Sequence, residues 1–272
     1  DEMLFSLKSS MTYIRIGVFA CVIWYLIEKD INILNYFYFI LIITFSILVA
    51  DSYIQYFFGH NSLGWAPRDH GRVSSFFGDE LVMGSYLSRL LPLLCALFLI
   101  RKKNKIEILY FFTIIILSCG SIIIAGERTA LFFLIFSFFF ILILLHYKKL
   151  LLFILFLISV LFTFFIFNNT ELKSRLIIDP IKSIVFFDYK KKNYIFTYSH
   201  DSLIKTAFNM FLDKPIIGHG PKMFRVICKD EKYATGLTPC MTHPHNFYVQ
   251  LLAETGIVGF MFLLSALVHV IY

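Results

Sequence analysis

The chain has 272 residues, 58% of them hydrophobic with 33 Phe, and only 16% charged. A soluble domain of this length rarely sustains that balance, which excludes a water-soluble globular enzyme and points to an integral membrane protein. The net charge of +7 gathers in short loops without any RNA- or DNA-binding motif, so no nucleic-acid partner is expected and the charge reads as topology signal plus attraction to anionic lipid or phosphate.

Seven apolar runs approach the about 17–25 residues that a bilayer demands: Met11–Ile27, Ile31–Ala50, Leu81–Ile100, Ile106–Ala125, Thr129–Leu145, Leu150–Phe167 and Phe247–Tyr272. Helix is the expected state, because an open strand leaves backbone groups unpaired in lipid. Asp1–Lys8 has no basic segment ahead of an apolar core. The first span is therefore expected to act as its own insertion signal, or the chain to begin inside a longer protein. Arg15 and Glu107 lie near span ends and can snorkel. Arg89 and Glu254 lie deeper and each calls for a partner away from lipid.

Orientation follows from the short loops. Arg101, Lys102, Lys103 and Lys105 fill one connection and Lys148 and Lys149 another. Short basic loops stay cytoplasmic, and two helices separate these, so they agree. Alternation puts Glu28–Asp30 inside and Asp51–Glu80, Gly126–Arg128 and Asn168–Asn246 on the outer face. Lys190–Lys192 fall in the last of these, but long loops obey the charge rule poorly. The expected fold is all-α: a polytopic transmembrane helix bundle of about seven spans, part of a larger bundle, with a large extracytoplasmic loop containing an amphipathic helix. The bundle occupies 1–167, six spans with an outer loop at 51–80. The long loop occupies 168–246, and a last transmembrane helix 247–272. Within the long loop, Leu203, Ile204, Ala207, Phe208 and Phe211 have helical spacing over Asp201–Leu212. Asp213-Lys214-Pro215 stops that helix, and PIIGHG reads as a turn.

Three polar clusters then share one side. One is Asp51–Glu80, with Arg68, Arg72, Asp79 and Glu80. The second is Gly126-Glu127-Arg128, a three-residue break between long apolar helices. The third ends the long loop at THPHN, where His243, His245 and Asn246 stand at the mouth of a membrane-length helix. Cys21, Cys95 and Cys119 lie in apolar spans and read as packing residues. Cys228 and Cys240 lie in the outer loop, either bonded to each other or as two free thiols. No C-x-x-C or H-E-x-x-H pattern accompanies them, so neither metal nor cofactor is expected.

Arg72 and Arg128 are outer-face guanidiniums beside membrane helices. They read either as residues meeting lipid phosphate or as a two-armed grip on a diphosphate, since Arg forks onto phosphate oxygens in pairs. A neutral His could then take a proton from a hydroxyl. His245 is the preferred base because it directly precedes Asn246, a natural helix cap; His243 is a secondary contact. No G-x-S-x-G elbow supports a hydrolase.

Four stretches, in order, resemble the O-antigen ligase and polymerase superfamily of bacterial envelope glycan enzymes. They are Gln55–Gly59, RVSSFFGDELVMGSYL at Arg72–Leu87, GERTALF at Gly126–Phe132, and DKPIIGHGPKMF through HPHNFYVQLLAETGIVGF at Asp213–Phe260. The resemblance implies a metal-independent membrane glycosyltransferase. Its donor would be a glycan on undecaprenyl diphosphate, and its acceptor a lipid A–core sugar or another lipid-linked glycan. It would work in membrane lipid on the periplasmic face of the bacterial inner membrane. Arg72 and Arg128 match the family's diphosphate-holding arginines and His245 its acceptor-activating histidine, with Arg68, Asp79, Glu127 and His243 around the substrate. Ser75 stands where many members have Gly, and His200-Asp201 where many have an Arg-led start. Members usually have more spans, so Asp1 and Tyr272 read as ends within a longer bundle, although a natural short form reads the same. The competing reading is a transporter or flippase of lipid-linked oligosaccharide, but its polar residues belong near the midplane, and here, apart from Arg89 and Glu254, they cluster at the outer surface.

Overall fold

The computed structural model describes residues 2–68, 71–101, 104–145, 148–179, 181, 198–236 and 238–271. The basic residues Lys102, Lys103 and Lys190–Lys192 lie outside the described residues. Among those described, every long element is a helix: α1 Glu2–Lys29, α2 Ile33–Phe58, α3 Met83–Leu99, α4 Lys105–Ile124, α5 Arg128–Leu145, α6 Lys148–Asn168, α7 Thr170–Lys173, α8 Tyr198–Asp213, α9 Phe224–Ile227 and α10 Phe247–Ile271. A π-helical turn, Ser174–Ile178, continues α7.

Each of the seven apolar runs holds a helix over most of its described length, but length and composition do not qualify all seven as spans. Among the described residues, Leu4–Lys29, Ile33–Phe58, Lys105–Ile124 and Phe247–His269 are long and apolar enough to cross a membrane, four helices in all. A fifth span arises if Leu152–Asn168 and Thr170–Ile178, bent by 114°, count as one. Met83–Leu99 is a shorter apolar helix of 17 residues. It rises only about 25 Å, short of the about 30 Å hydrocarbon core.

The chain divides into two compact units, Leu26–Phe187 and Asp1–Tyr25 with Asp188–Tyr272. In the first, α2, α3, α4, α5 and α6 pack around Phe45, Leu87, Leu91, Leu94, Ile122 and Leu134, each fully buried. Gly84 on α3 lets the helix approach closely: a Cβ there would stand 3.1 Å from that of Ala125 and 3.2 Å from that of Ala130. Asn104 caps α4 by accepting the Glu107 N–H at 2.8 Å. Arg89, one of the two deep charges, lies over the Phe133 ring of α5, 5.6 Å from its centroid. The connection after α2 is wired to that helix by its buried polar residues. Gln55 Oε1 accepts the Ser74 and Ser75 N–H groups at 2.9 and 2.7 Å, and Asp51 accepts from Ser62 and Ser75.

In the second unit, the expected amphipathic helix is α8. It packs on α10 through Leu203, Ala207, Met210 and Ala253, with Phe224 and Cys228 completing the cluster. Cys228 and Cys240 form a disulfide, Cα atoms 5.0 Å apart. Glu254, the other deep charge, is buried, and its carboxylate accepts the N–H groups of Lys222 and Phe224 at 2.9 and 3.3 Å.

Candidate functional site

The arginine cluster is built on one turn. α4 ends at Ile124 and α5 starts at Arg128, so Gly126 must reverse the chain, which it does at φ +64°. An L side chain rarely adopts that conformation, and glycine does so without penalty. A Cβ here would also touch Leu172 at 3.3 Å and the Arg175 and Arg72 stems at 3.5 Å each. Two guanidinium stems therefore flank a single glycine.

Each arginine is pinned by its Nε. Arg72 Nε donates to Ala125 O at 3.1 Å, Arg175 Nε to Gly126 O at 2.8 Å, and Arg128 Nε to Arg175 O at 2.9 Å. Arg72 is only 7% exposed and its terminal amine also reaches Leu81 O at 3.2 Å. Three guanidinium planes are thus fixed by the carbonyls of Ala125, Gly126 and Arg175, which is the pre-organisation that lets Arg hold phosphate oxygens in pairs. Glu127 is bonded to the start of α3. Its carboxylate accepts the Gly84 N–H at 2.8 Å and the Ser85 N–H and hydroxyl at 3.1 and 2.5 Å, capping the start of α3.

Arg68 is tied to Arg72 through paired backbone bonds of 2.9 and 2.7 Å, and its own guanidinium pairs with Asp79 at 2.6 Å. Both of those side chains are exposed.

Arg175 was not singled out in the sequence. It reaches Gly126 because α6 ends in a sharp bend at Asn169, whose side chain accepts the Leu172 N–H at 3.0 Å and starts α7 in a new direction. The signal for this was Asn169 standing two residues before Glu171, a capping pattern. One carboxylate lies close by: Asp179 Oδ2 is 3.9 Å from Arg128, and Asp179 Oδ1 accepts from the Ser174 hydroxyl at 3.2 Å.

The histidines form the other group, in the other unit. Asn246 Oδ1 accepts the Val249 N–H at 3.1 Å and opens α10. Immediately before it, His245 has φ +55° although it is not glycine, a strained conformation of a kind concentrated at functional sites. Its ring lies 4.3 Å from that of His243 and 5.1 Å from that of His200, centroid to centroid. His243 Nδ1 is bonded to the Thr242 hydroxyl at 2.9 Å. Burial pushes the His245 pKa down, and the neighbouring His243 and His200 push it the same way. The imidazole is therefore biased toward its neutral, proton-accepting form. His200 stands at the position where the sequence departs from the Arg-led pattern. Among the described residues no set of three His, Cys, Asp or Glu side chains is arranged to hold a metal ion.

The family model for O-antigen ligase matches residues 112–264, more than half of the chain. The chain belongs to the O-antigen ligase family. The matched segment includes Arg128, Arg175, His200, His243 and His245, while Arg72 lies upstream of it. No curated protein and no solved structure matches. Membership of the O-antigen ligase family, together with several helices long and apolar enough to span a bilayer, makes this a multi-pass membrane protein of the glycan ligase or polymerase type.

Proposed function

We propose that the protein is a metal-independent glycosyltransferase that moves a glycan from undecaprenyl diphosphate onto an acceptor sugar. The acceptor is lipid A–core for a ligase or a second lipid-linked glycan for a polymerase. It works on the periplasmic face of the bacterial inner membrane, with the loop 168–246 outside and α3 and α5 completing seven spans. The observation that carries this reading is the trio of guanidiniums pinned through Nε around Gly126. Arg72 and Arg128 hold the donor's diphosphate and stabilise the charge that grows on it. His245 takes the proton from the acceptor hydroxyl, and that oxygen forms the new bond to the anomeric carbon. The bond from the anomeric carbon to the phosphate oxygen breaks, and undecaprenyl diphosphate leaves with the electron pair. Arg68, Asp79, Glu127 and His243 support the substrate or the groups that touch it. The same vestibule in a transporter would bind the lipid-linked donor and leave the glycosidic bond intact.

The test is turnover and donor binding measured on one purified His245→Ala variant. Turnover should fall by about 10²–10⁴, the usual contribution of a general base, while undecaprenyl-diphosphate-glycan binding stays within about twofold. The wild-type rate should fall as pH drops through the His245 pKa, below the ordinary value of about 6.5, because protonation removes the acceptor lone pair. Turnover retained in both His245→Ala and His243→Ala removes the base from the mechanism. Donor binding with no bond formation in the wild type, across lipid A–core and lipid-linked acceptors, establishes the transporter.

A further inference from the structure

Beside the arginine cluster lies a cavity of about 390 Å³ lined by Thr170, Glu171, Ser174, Arg175 and Asp179. Its size falls in the range of about 300–1,000 Å³ typical of small-molecule sites. All five lining residues are polar or charged, and none is aliphatic or aromatic. The diphosphate reading does not use this space.

We propose that the cavity is a sugar subsite, which takes the pyranose bonded directly to the donor's diphosphate. The proposal rests on the reading that Arg72 and Arg128 hold that diphosphate. Arg175 joins the two places: it lines the cavity and its Nε is bonded to Gly126 O at 2.8 Å. The first sugar of the donor is one covalent bond from the phosphate, so it must lie against whatever group flanks the phosphate grip.

The chemistry of the wall selects the same ligand. Carboxylates only accept hydrogen bonds, guanidinium only donates, and hydroxyls do both. Glu171 and Asp179 thus accept from sugar hydroxyls, Arg175 donates to sugar oxygens, and Thr170 and Ser174 do either. An isoprenoid chain would leave this polar wall unsatisfied. A phosphate would meet two carboxylates of its own sign, so the wall turns the diphosphate back toward the arginines. The wall is also held in place. The Ser174 hydroxyl donates to Asp179 Oδ1 at 3.2 Å, and Asn169 fixes the turn through the Leu172 N–H at 3.0 Å. Glu171 Oε2 stands 2.7 Å from where a Cβ on Gly71 would be, so this carboxylate sits against the residue preceding Arg72.

The experiment measures binding to the full chain in lipid nanodiscs. The probes are undecaprenyl diphosphate alone and undecaprenyl diphosphate carrying one glucose, galactose or N-acetylglucosamine in turn. At least one sugar-bearing probe should bind about tenfold tighter than the bare diphosphate. Glu171→Gln and Ser174→Ala should each remove most of that gain, about tenfold for one charge-assisted hydrogen bond, and leave the bare probe unchanged. Arg175→Ala should weaken all probes. Equal binding of bare and sugar-bearing probes, or a gain that survives both substitutions, overturns the subsite and leaves the diphosphate grip standing. Failure of the wild type to bind any probe overturns the diphosphate reading and the subsite with it. Glu171→Gln preserves the shape of the wall, so it decides the matter where Ser174→Ala fails to insert.

Discussion

At the scale of single residues, the turn at Gly126 distinguishes arginine from lysine. Arg128 commits Nε to Arg175 O at 2.9 Å, and Arg72 commits Nε to Ala125 O at 3.1 Å and a terminal nitrogen to Leu81 O at 3.2 Å, each through a planar group with five N–H donors. A lysine has one nitrogen and cannot both bond the carbonyl and grip a phosphate in two places. Arg128→Lys and Arg72→Lys should each lower donor affinity at least about tenfold, the loss of one charge-assisted bond, with thermal stability recorded alongside. Full affinity in both Lys variants would point to a generic basic vestibule. Ser75 offers a test of the opposite kind. It has φ +50°, yet its hydroxyl donates to buried Asp51 at 2.6 Å. Glycine would relieve a backbone cost of about 1–2 kcal/mol but forfeit a bond to a charged group worth about 1.5–3 kcal/mol. Alanine forfeits the bond and keeps the strain. The expected order of melting temperature is Ser75, then Ser75→Gly, then Ser75→Ala, and a Gly variant more stable than wild type would show the hydroxyl bond to be the weaker of the two effects.

At the scale of elements, α10 is interrupted and the interruption is filled. Gly256 has φ +62° and ψ −164°, outside the helical region, so the backbone groups near it lose their partners within the helix. The turn Pro215–Gly220 supplies replacements. Ile257 N donates to Pro215 O at 2.8 Å and Val258 N to Ile216 O at 3.2 Å; in return His219 N and Gly220 N donate to Ala253 O and Glu254 O at 3.0 and 2.7 Å. Unpaired backbone groups are costly in a membrane environment, and irregular backbone persists there only when protein pairs it. A Cβ on Gly256 would overlap Ile216 O. Gly256→Ala should therefore destabilise the protein by at least about 1–3 kcal/mol from the backbone conformation alone, read as a lower melting temperature in detergent. An unchanged melting temperature would mean that the helix straightens and the turn leaves it. The sequence made both halves of this arrangement readable and hid their union. PIIGHG announces a turn and the apolar run after Asn246 announces a helix, each by local signals. Their mutual pairing spans about forty residues and has no periodicity to betray it. The arginines divide in the same way. Arg72 and Arg128 stand out because polar breaks flank them, whereas Arg175 gains its place only through the bend at Asn169 and the close pass of Leu172 over Gly126. His200 meets His245 only because α8 folds back onto α10. The count of spans was legible only in part for a related reason: apolar composition marks a run as buried or lipid-facing, but α3 has only 17 residues, and no composition rule says which of the two a short apolar helix is.

At the scale of the whole molecule, the unit Leu26–Phe187 has two polar ends, and α4 connects them. At one end Arg101 bonds Asn35 through Nε at 2.8 Å and lies over the Tyr38 and Phe39 rings at 4.2 and 4.4 Å from their centroids. At the other end are Gly126 and the arginines around it. The 20 residues of α4 rise about 30 Å between the two, the thickness of a hydrocarbon core. If the helix crosses the bilayer, the two ends face opposite compartments, and the basic end at Arg101 and Lys105 belongs to the cytoplasm. The arginine cluster is then exposed on the outer side, where an undecaprenyl-diphosphate donor with an exported glycan would present its head group. Lys105→Cys and Lys173→Cys, both at exposed positions, test this in intact cells after the exposed Cys21 is replaced by Ser. A membrane-impermeant maleimide should label Lys173→Cys directly and Lys105→Cys only after permeabilisation. The reverse pattern places the arginines in the cytoplasm and removes the shared outer face on which the glycosyl-transfer reading depends. Labelling of both from outside would show that α4 does not cross, so that its buried face serves packing within the bundle rather than passage through lipid.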